Sequence, residues 1–120
     1  MNVVICDDSI LVRQHLRNVI QRMPDVSLVG EASTAGQSLA MMKSLKPDVA
    51  IMDIQFPDGN GVDVLRKVKV ALPRLNVVML TNHVNDMYKR ACLQAGAAAF
   101  LDKSREFDRV SETLSDLAQG

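Results

Sequence analysis

The chain opens with Met1-Asn-Val-Val-Ile-Cys-Asp-Asp8, an apolar run that ends in two aspartates. A second run of this kind, Pro47-Asp-Val-Ala-Ile-Met-Asp53, also ends in an aspartate. Short runs rich in Val and Ile predict buried parallel strands. Because the carboxyl ends of such strands meet at one sheet edge, the acids are expected to lie close together and to raise each other's pKa. The two stretches therefore predict an α/β fold with a hard-metal site around one reactive aspartate.

The composition predicts one globular domain spanning residues 1–120. Apolar residues make up 48% of the sequence, charged residues make up 23%, and the formal net charge is zero. A net charge of zero gives no indication of a surface for nucleic acid or for an anionic membrane. The two cysteines, Cys6 and Cys92, are too few for a disulfide framework and are expected to be buried thiols.

Two patterns bear on location. No apolar run approaches the roughly 20 residues that a membrane-spanning helix needs. The chain enters a strand at once and reaches acidic residues by Asp7, which is unlike a secretory leader. We therefore expect a cytoplasmic protein with no membrane partner.

Short apolar runs alternate with helical patterns along the whole chain, as is typical of βαβ units with a parallel sheet. The expected strands are Asn2–Cys6, Val26–Ala32, Asp48–Asp53, Asn76–Leu80 and Ala97–Leu101. The second strand alternates polar and apolar residues and is expected at a sheet edge. The expected helices are Ser9–Met23, Thr34–Leu45, Asn60–Leu72, Asn85–Ala95 and Ser104–Ala118.

Cap residues support these helix boundaries. Thr34 opens a capping-box pattern, and Gly96 is expected to adopt a left-handed conformation after helix 4. Ser104 is expected to cap helix 5, with Glu106 in its first turn. Right-handed crossovers then place helices on both sheet faces. The predicted fold is a single-domain (βα)5 doubly wound parallel sheet with the flavodoxin-like strand order 2-1-3-4-5.

Two further polar residues fall at the same sheet edge. Thr81 directly follows strand 4, and Lys103 follows strand 5. Together with Asp7, Asp8 and Asp53, they end four different strands. The chain resembles a response-regulator receiver domain of two-component signalling, similar to the chemotaxis regulators. The resemblance rests on these five residues and on the loop Asp53-Ile-Gln-Phe-Pro-Asp-Gly-Asn-Gly61. The resemblance covers all 120 residues.

The resemblance implies that Asp53 accepts a phosphoryl group as an acyl phosphate, a role that suits a carboxylate nucleophile. It implies Mg²⁺ (or Mn²⁺) bound directly by Asp8 and Asp53, through water by Asp7, and by the backbone carbonyl of Gln55. Lys103 would pair with one phosphoryl oxygen and Thr81 would donate a hydrogen bond to another. Taken alone, Asp7 or Asp8 could instead cap helix 1.

The resemblance also implies a route to an output surface. Phosphorylation would draw Thr81 inward and free space for the ring of Phe100 to rotate, which would remodel the face made by helix 4, strand 5 and helix 5. The simpler alternative is that Phe100 is a fixed core residue of strand 5. This face could bind a downstream protein, a second copy of the chain, or both.

The sequence departs from the family pattern at two positions. Ser104 stands where the family often has a proline after its lysine, so we expect a trans bond there, since a cis non-proline bond costs roughly 3–4 kcal/mol. Asn82 stands where the family usually has a small residue, and its side chain would narrow access to Asp53. Gln55, Asn82 and His83 occupy the positions that tune dephosphorylation in the family, although His83 could be an ordinary surface histidine.

Partners follow from the resemblance. A sensor histidine kinase or a histidine phosphotransfer domain would supply the phosphoryl group, docking near Ser9, Val12 and His15. The first functional hypothesis is a stand-alone response regulator, because the chain ends two residues after helix 5. The second is the receiver half of a DNA-binding transcriptional regulator, in which this chain itself does not bind nucleic acid.

An enzyme is the third hypothesis. An aspartate-nucleophile phosphohydrolase shares the Asp, Thr and Lys set but needs a second aspartate two residues after its nucleophile. Gln55 stands at that position, so repeated turnover has no general acid. A flavodoxin-like nucleotide binder would need phosphate-binding amides after strand 1, where the chain has two carboxylates. We therefore expect a phosphoacceptor that is not an enzyme beyond self-phosphorylation and slow self-dephosphorylation.

Overall fold

The computed structural model describes residues 1–120. The elements in chain order are β1 (Asn2–Cys6), α1 (Ile10–Gln21), β2 (Ser27–Ala32), α2 (Ala35–Leu45), β3 (Val49–Met52), β4 (Gln55–Phe56), β5 (Gly59–Asn60), α3 (Gly61–Ala71), β6 (Asn76–Thr81), α4 (Asp86–Gln94), β7 (Ala99–Asp102) and α5 (Arg109–Gln119). No helix is long and apolar enough to cross a bilayer.

Five of the strands form one parallel sheet in the order β2-β1-β3-β6-β7. Counting only these five, the order is 2-1-3-4-5, so the predicted fold is confirmed. β2 lies at an edge, as its alternating pattern predicts. The predicted strands 4 and 5 are β6 and β7, and the predicted output face is therefore α4–β7–α5.

Helices cover both faces of the sheet, because the central strands are apolar on both sides. The first core cluster packs α2, α3 and α4 against one face, with Met42, Leu65 and Cys92 fully buried. The second packs α1 and α5 against the other face, with Leu16 and Leu114 fully buried. Cys6 is buried as well, so both cysteines are buried free thiols, as predicted.

Side-chain caps start most helices where the sequence predicts them. Ser9, Thr34 and Asn85 each accept a hydrogen bond from a backbone amide in the first turn of α1, α2 and α4. Gly96 has a φ of 98°, which confirms the left-handed residue expected after α4. No peptide bond is cis, so the bond between Lys103 and Ser104 is trans, as predicted.

The predicted start of helix 5 is wrong by five residues. α5 begins at Arg109, and Ser104 does not cap it. Residues 103–108 form turns instead, because the carboxylate of Asp102 accepts from the Ser104 amide at 2.9 Å and that of Glu106 accepts from the Asp102 amide at 3.0 Å. These bonds engage Ser104 and Glu106 in the turn, so they are no longer free to act as helix N-terminal groups.

A short hairpin lies between β3 and α3 and was not predicted. β4 and β5 pair antiparallel, with Gln55 opposite Asn60 and Phe56 opposite Gly59. Asp58, at its turn, accepts hydrogen bonds from the amides of Ala35 at 2.7 Å and Gly36 at 3.0 Å. The amides of Gly36 and then Ala35 lower the pKa of Asp58 below its usual range. The hairpin is thus held against the first turn of α2.

Candidate functional site

The predicted site residues do meet at the carboxyl edge of the sheet. Hydrogen bonds between neighbouring strands continue into the loops that carry the acids: the Asp7 amide donates to Ala32 O and the Asp53 amide donates to Cys6 O, both at 3.0 Å. Asp7 and Asp53 are thereby fixed side by side at the ends of β1 and β3. Thr81 ends β6, and Lys103 directly follows β7.

Three carboxylates form one cluster. Asp7, Asp8 and Asp53 each place an oxygen within 4.8 Å of the others. Asp7 is 2% exposed and Asp53 is 7% exposed, whereas Asp8 is open to solvent. Asp7 Oδ1 accepts from the Ser9 amide at 2.8 Å, and Asp53 Oδ1 accepts from the Ile54 amide at 2.6 Å. In each buried acid, Oδ1 therefore accepts a hydrogen bond from a nearby backbone amide. Oδ2 remains available within the cluster.

Lys103 bridges the two buried acids. Its Nζ lies 2.7 Å from Asp7 Oδ2 and 2.7 Å from Asp53 Oδ2. Burial lowers the pKa of Lys103, but its hydrogen bonds and charge interactions with Asp53 and Asp7 outweigh that cost and raise the pKa overall. Lys103 therefore carries its positive charge at neutral pH, at the position expected from the sequence but bonded to carboxylates.

Asp7 is the acid of the cluster whose pKa is raised. Burial raises the pKa of Asp7 even though Lys103 and the Ser9 amide favour its ionised form, and the charge of Asp53 raises it further. The cluster holds three carboxylates, whereas the one lysine pairs with only two of them, so ionisation of all three leaves excess negative charge. That imbalance, with an all-oxygen donor set, suits a hard divalent cation. The cluster could therefore hold a metal ion.

Thr81 is fully buried beside the lysine. Its Oγ1 accepts from the His83 amide at 3.1 Å, and its carbonyl accepts from the Lys103 amide at 2.9 Å. Phe100 lies on β7 opposite Met79 of β6, partly buried against the first core cluster. Thr81 and Phe100 therefore lie on adjacent strands, β6 and β7.

A cleft of about 350 Å³ opens at the acid cluster, where Asp8, Asp53 and Lys103 line it. Five further predicted site residues line this cleft together with Phe56 and Pro57, namely Ser9, Val12, Gln55, Asn82 and His83. His83 is exposed, and its ring meets that of Tyr88 edge-on, with centroids 6.3 Å apart. The three predicted rate-tuning residues, Gln55, Asn82 and His83, thus all line one cleft.

His15 lies apart from this cleft. Its ring is exposed and stacks on Phe107, with centroids 4.1 Å apart and the planes inclined by 18°. Ser9 and Val12 line the cleft, but His15 lies in a separate groove between α1 and the turns before α5. The predicted docking residues therefore form two adjacent surfaces instead of one.

Arg13 contributes to the site and was not predicted. Its guanidinium donates to the backbone carbonyl of Asp7 at 2.7 Å and lies 3.4 Å from Glu31, which Arg17 also holds at 2.8 Å and 3.0 Å. The bond fixes the peptide between Asp7 and Asp8. In the sequence, Arg13 is one of several cations along a helix, with nothing to mark it as different.

Gly61 sets the shape of the loop after Asp53. A Cβ at this position would overlap the carbonyl oxygen of Asp53 and would lie 2.8 Å from the Cα of Ile54. The Gly61 amide also donates to the carbonyl of Ile54. Only a residue without a side chain lets the start of α3 approach the acid this closely.

Replacing Gly61 by alanine is expected to destabilise the protein by roughly 1–3 kcal/mol, the usual cost of forcing a methyl group into filled space. Gly36→Ala is the matched control, because its Cβ would meet only Asp58 Oδ2 at 3.4 Å. Urea unfolding of both variants measures the difference. Equal stabilities for the two variants would mean that the Asp53 loop tolerates displacement.

Comparisons with known proteins agree with this geometry. Residues 3–115 match the family described as the response regulator receiver domain. The chain is 28% identical over 120 residues to the DNA-binding transcriptional activator DevR/DosR of Mycobacterium tuberculosis, covering 100% of this chain and 55% of that protein. It is 33% identical over 113 residues to the transcriptional regulatory protein YhcZ of Bacillus subtilis, covering 94% of this chain and 53% of that protein.

Among solved structures, the chain is similar to the signal receiver domain of the response regulator NarL from Mycobacterium tuberculosis. The TM-score is 0.90 at 29% sequence identity, and the match covers 99% of this chain and 96% of the other. The chain thus matches an isolated receiver domain almost end to end, while it spans about half the length of the curated relatives.

Proposed function

The chain belongs to the family of response-regulator receiver domains, and on that premise we propose that Asp53 accepts a phosphoryl group in a Mg²⁺-dependent reaction. One observation carries the proposal: a buried aspartate at the sheet edge, flanked by two more carboxylates within 4.8 Å and by a lysine at 2.7 Å. Receiver domains interact with histidine kinases, so a kinase or a histidine phosphotransfer domain is the proposed donor.

The chemistry needs one bond made and one broken. A carboxylate oxygen of Asp53 attacks phosphorus, the bond from phosphorus to the donor atom breaks, and the leaving group takes the electron pair. Negative charge spreads over the phosphoryl oxygens during transfer. Lys103, already within 2.7 Å of Asp53 Oδ2, is placed to exchange a carboxylate oxygen for a phosphoryl oxygen.

Asp8 and Asp53 would hold the cation directly, Asp7 would hold it through water, and the backbone carbonyl of Gln55 would complete the protein ligands. The donor set fits Mg²⁺ or Mn²⁺, since all its atoms are oxygens and exposed Asp8 leaves room for waters. When bound, the cation neutralises charge on the phosphoryl oxygens. Burial raises the pKa of Asp7, and the positive charge of the cation would favour its ionised form.

The proposed switch runs from Thr81 to Phe100. Thr81 is fully buried, and its hydroxyl can donate to a phosphoryl oxygen while it still accepts from the His83 amide. Movement of Thr81 toward Asp53 would vacate space near partly buried Phe100. Phosphorylation then shifts the population of two conformers of the α4–β7–α5 face, which would bind a downstream protein or a second copy of the chain.

Residues around the cleft would set rates and partner contacts. Gln55, Asn82 and His83 line the route by which water reaches the acyl phosphate, so we assign them to tuning its lifetime. Ser9 and Val12, which line the cleft, and His15, which lies in the adjacent groove, are the proposed contacts for the phosphoryl donor. Receiver domains are not enzymes in the ordinary sense, and Gln55 in place of a second aspartate is consistent with slow self-dephosphorylation.

Two forms of output remain, a stand-alone regulator or the receiver half of a transcriptional regulator. The relatives favour the second form, because the chain covers only 55% and 53% of two of them, and both are transcriptional regulators. In that form, the α4–β7–α5 face would control a DNA-binding region outside this domain, and the domain itself would not contact DNA.

Metal-dependent phosphoryl uptake tests the proposed function. Incubation with acetyl phosphate and Mg²⁺ is expected to raise the intact mass by one phosphoryl group, because the acid cluster needs a cation before it admits an anion. The same incubation with a chelator in excess of Mg²⁺ is the control and is expected to leave the mass unchanged. Uptake that is equal with and without the metal would contradict the proposal.

A further inference from the structure

Two side chains at the edge of the site hydrogen-bond to each other across two loops. Ser104 Oγ donates to Asn82 Oδ1 at 2.9 Å, and both side chains are exposed. Asn82 and Ser104 are also the two positions at which the sequence departs from the family pattern. The two departures therefore form a single interaction, which we call the Asn82–Ser104 strap.

The strap extends the pairing between β6 and β7. The last register pair of these strands is Thr81 with Asp102, and one step further the Lys103 amide donates to the Thr81 carbonyl at 2.9 Å. Asn82 directly follows Thr81 and Ser104 directly follows Lys103, so the strap is the next link, made by side chains. It ties the loop that follows Thr81 to the loop that begins at Lys103.

We propose that the strap holds Thr81 and Lys103 in their resting arrangement and so weakens the conformational response to a phosphoryl group. The inference rests on the proposed function, in which Thr81 moves toward Asp53. A bond that is made in the resting conformer and lost in the other widens the free-energy gap between them. Loss of one exposed hydrogen bond is expected to change that equilibrium about two- to fivefold.

Ser104→Ala isolates the strap from the shape of the cleft. Asn82 lines the cleft, so removing its side chain also opens access to Asp53, whereas Ser104 is not among the lining residues. The protein is titrated with beryllofluoride in the presence of Mg²⁺. Ser104→Ala is expected to lower the half-saturating concentration about two- to fivefold. NMR shifts of the Phe100 amide report the titration. Ser104→Thr keeps the hydroxyl and is expected to match the unsubstituted chain.

A double-mutant cycle completes the test. In the Asn82→Ala background, Ser104→Ala is expected to change the half-saturating concentration no further, because the partner is already absent. The proposed role of the strap is overturned if Ser104→Ala has no effect in the unsubstituted background. It is also overturned if the effects of the two substitutions simply add. Either result leaves the proposed function intact. If the unsubstituted chain fails to bind beryllofluoride, the proposed function falls and the strap falls with it.

Discussion

Asp53→Asn is expected to abolish phosphoryl uptake from acetyl phosphate in the presence of Mg²⁺. An amide oxygen is a far poorer nucleophile than a carboxylate, and the substitution also removes a negative charge from the cation cluster. The asparagine oxygen can still accept from the Ile54 amide, which lies 2.6 Å from Asp53 Oδ1. The asparagine NH2 group cannot accept from Lys103, so the ion pair at this position is lost, while the ion pair between Lys103 and Asp7 remains. Intact mass spectrometry under conditions that saturate the unsubstituted chain measures the effect, and we expect at least about a hundredfold loss.

Asp58→Asn is the matched control for this prediction. Asp58 lies in the same loop, but its carboxylate is exposed and accepts from the amides of Ala35 and Gly36 instead of facing Lys103. This variant is expected to take up one phosphoryl group, as the unsubstituted chain does. A phosphoryl group that persists on the Asp53→Asn chain would place the acceptor elsewhere in the molecule.

The sheet and its functional edge follow directly from the sequence, for a physical reason. Buried parallel strands are short apolar runs, and their carboxyl ends lie at one edge whatever the details of the helices. Asp7, Asp53 and Thr81 therefore reach one edge as soon as their strands are identified. Cap residues such as Thr34 and Asn85 add helix boundaries, because they bond to amides only three residues away.

The misplaced start of α5 shows where local signals fail. Ser104 and Glu106 have the residue types and spacing of a helix start, yet both are engaged with Asp102. Phe107 packs against the second core cluster and against His15, so tertiary contacts stabilise the turns before the helix. The β4–β5 hairpin escapes prediction because strands of two residues are too short to show any periodicity.

The contacts that shape the acid cluster depend on distance in three dimensions and could not be predicted from the sequence. The chain has 14 lysines and arginines, and residue type alone does not single out the one that reaches the backbone of Asp7. Arg13 does so because α1 packs over β1 and because Glu31, on β2, lies next to it. The sequence predicts Lys103 at the edge because it follows strand 5, but its bridge between Asp7 and Asp53 emerges only from the folded structure.

Lys103→Met is expected to lower the free energy of unfolding at neutral pH, without Mg²⁺, by roughly 3 kcal/mol, because it leaves two buried carboxylates without their cation. Lys103 is 9% exposed and lies 2.7 Å from both Asp7 and Asp53. Lys67→Met, an exposed lysine on α3, is the control and is expected to be nearly neutral. Urea unfolding of the three proteins measures the difference.

The pH dependence and the metal dependence give this prediction a definite sign. Burial already raises the pKa of Asp7, and without Lys103 the main opposing contact is lost, so the pKa in the folded state rises further. A carboxyl group whose pKa is higher in the folded state than in the unfolded state stabilises the fold below the unfolded pKa, and that stability is lost as pH rises through the folded pKa. The loss of stability in Lys103→Met should therefore be small in acid and grow toward neutral pH.

Mg²⁺ should reduce this loss of stability at neutral pH, because it can replace the positive charge that Lys103 supplies to Asp7 and Asp53. A loss of stability that is independent of both pH and Mg²⁺ would mean that Lys103 stabilises the fold by packing alone, and the electrostatic account of the site would then be wrong.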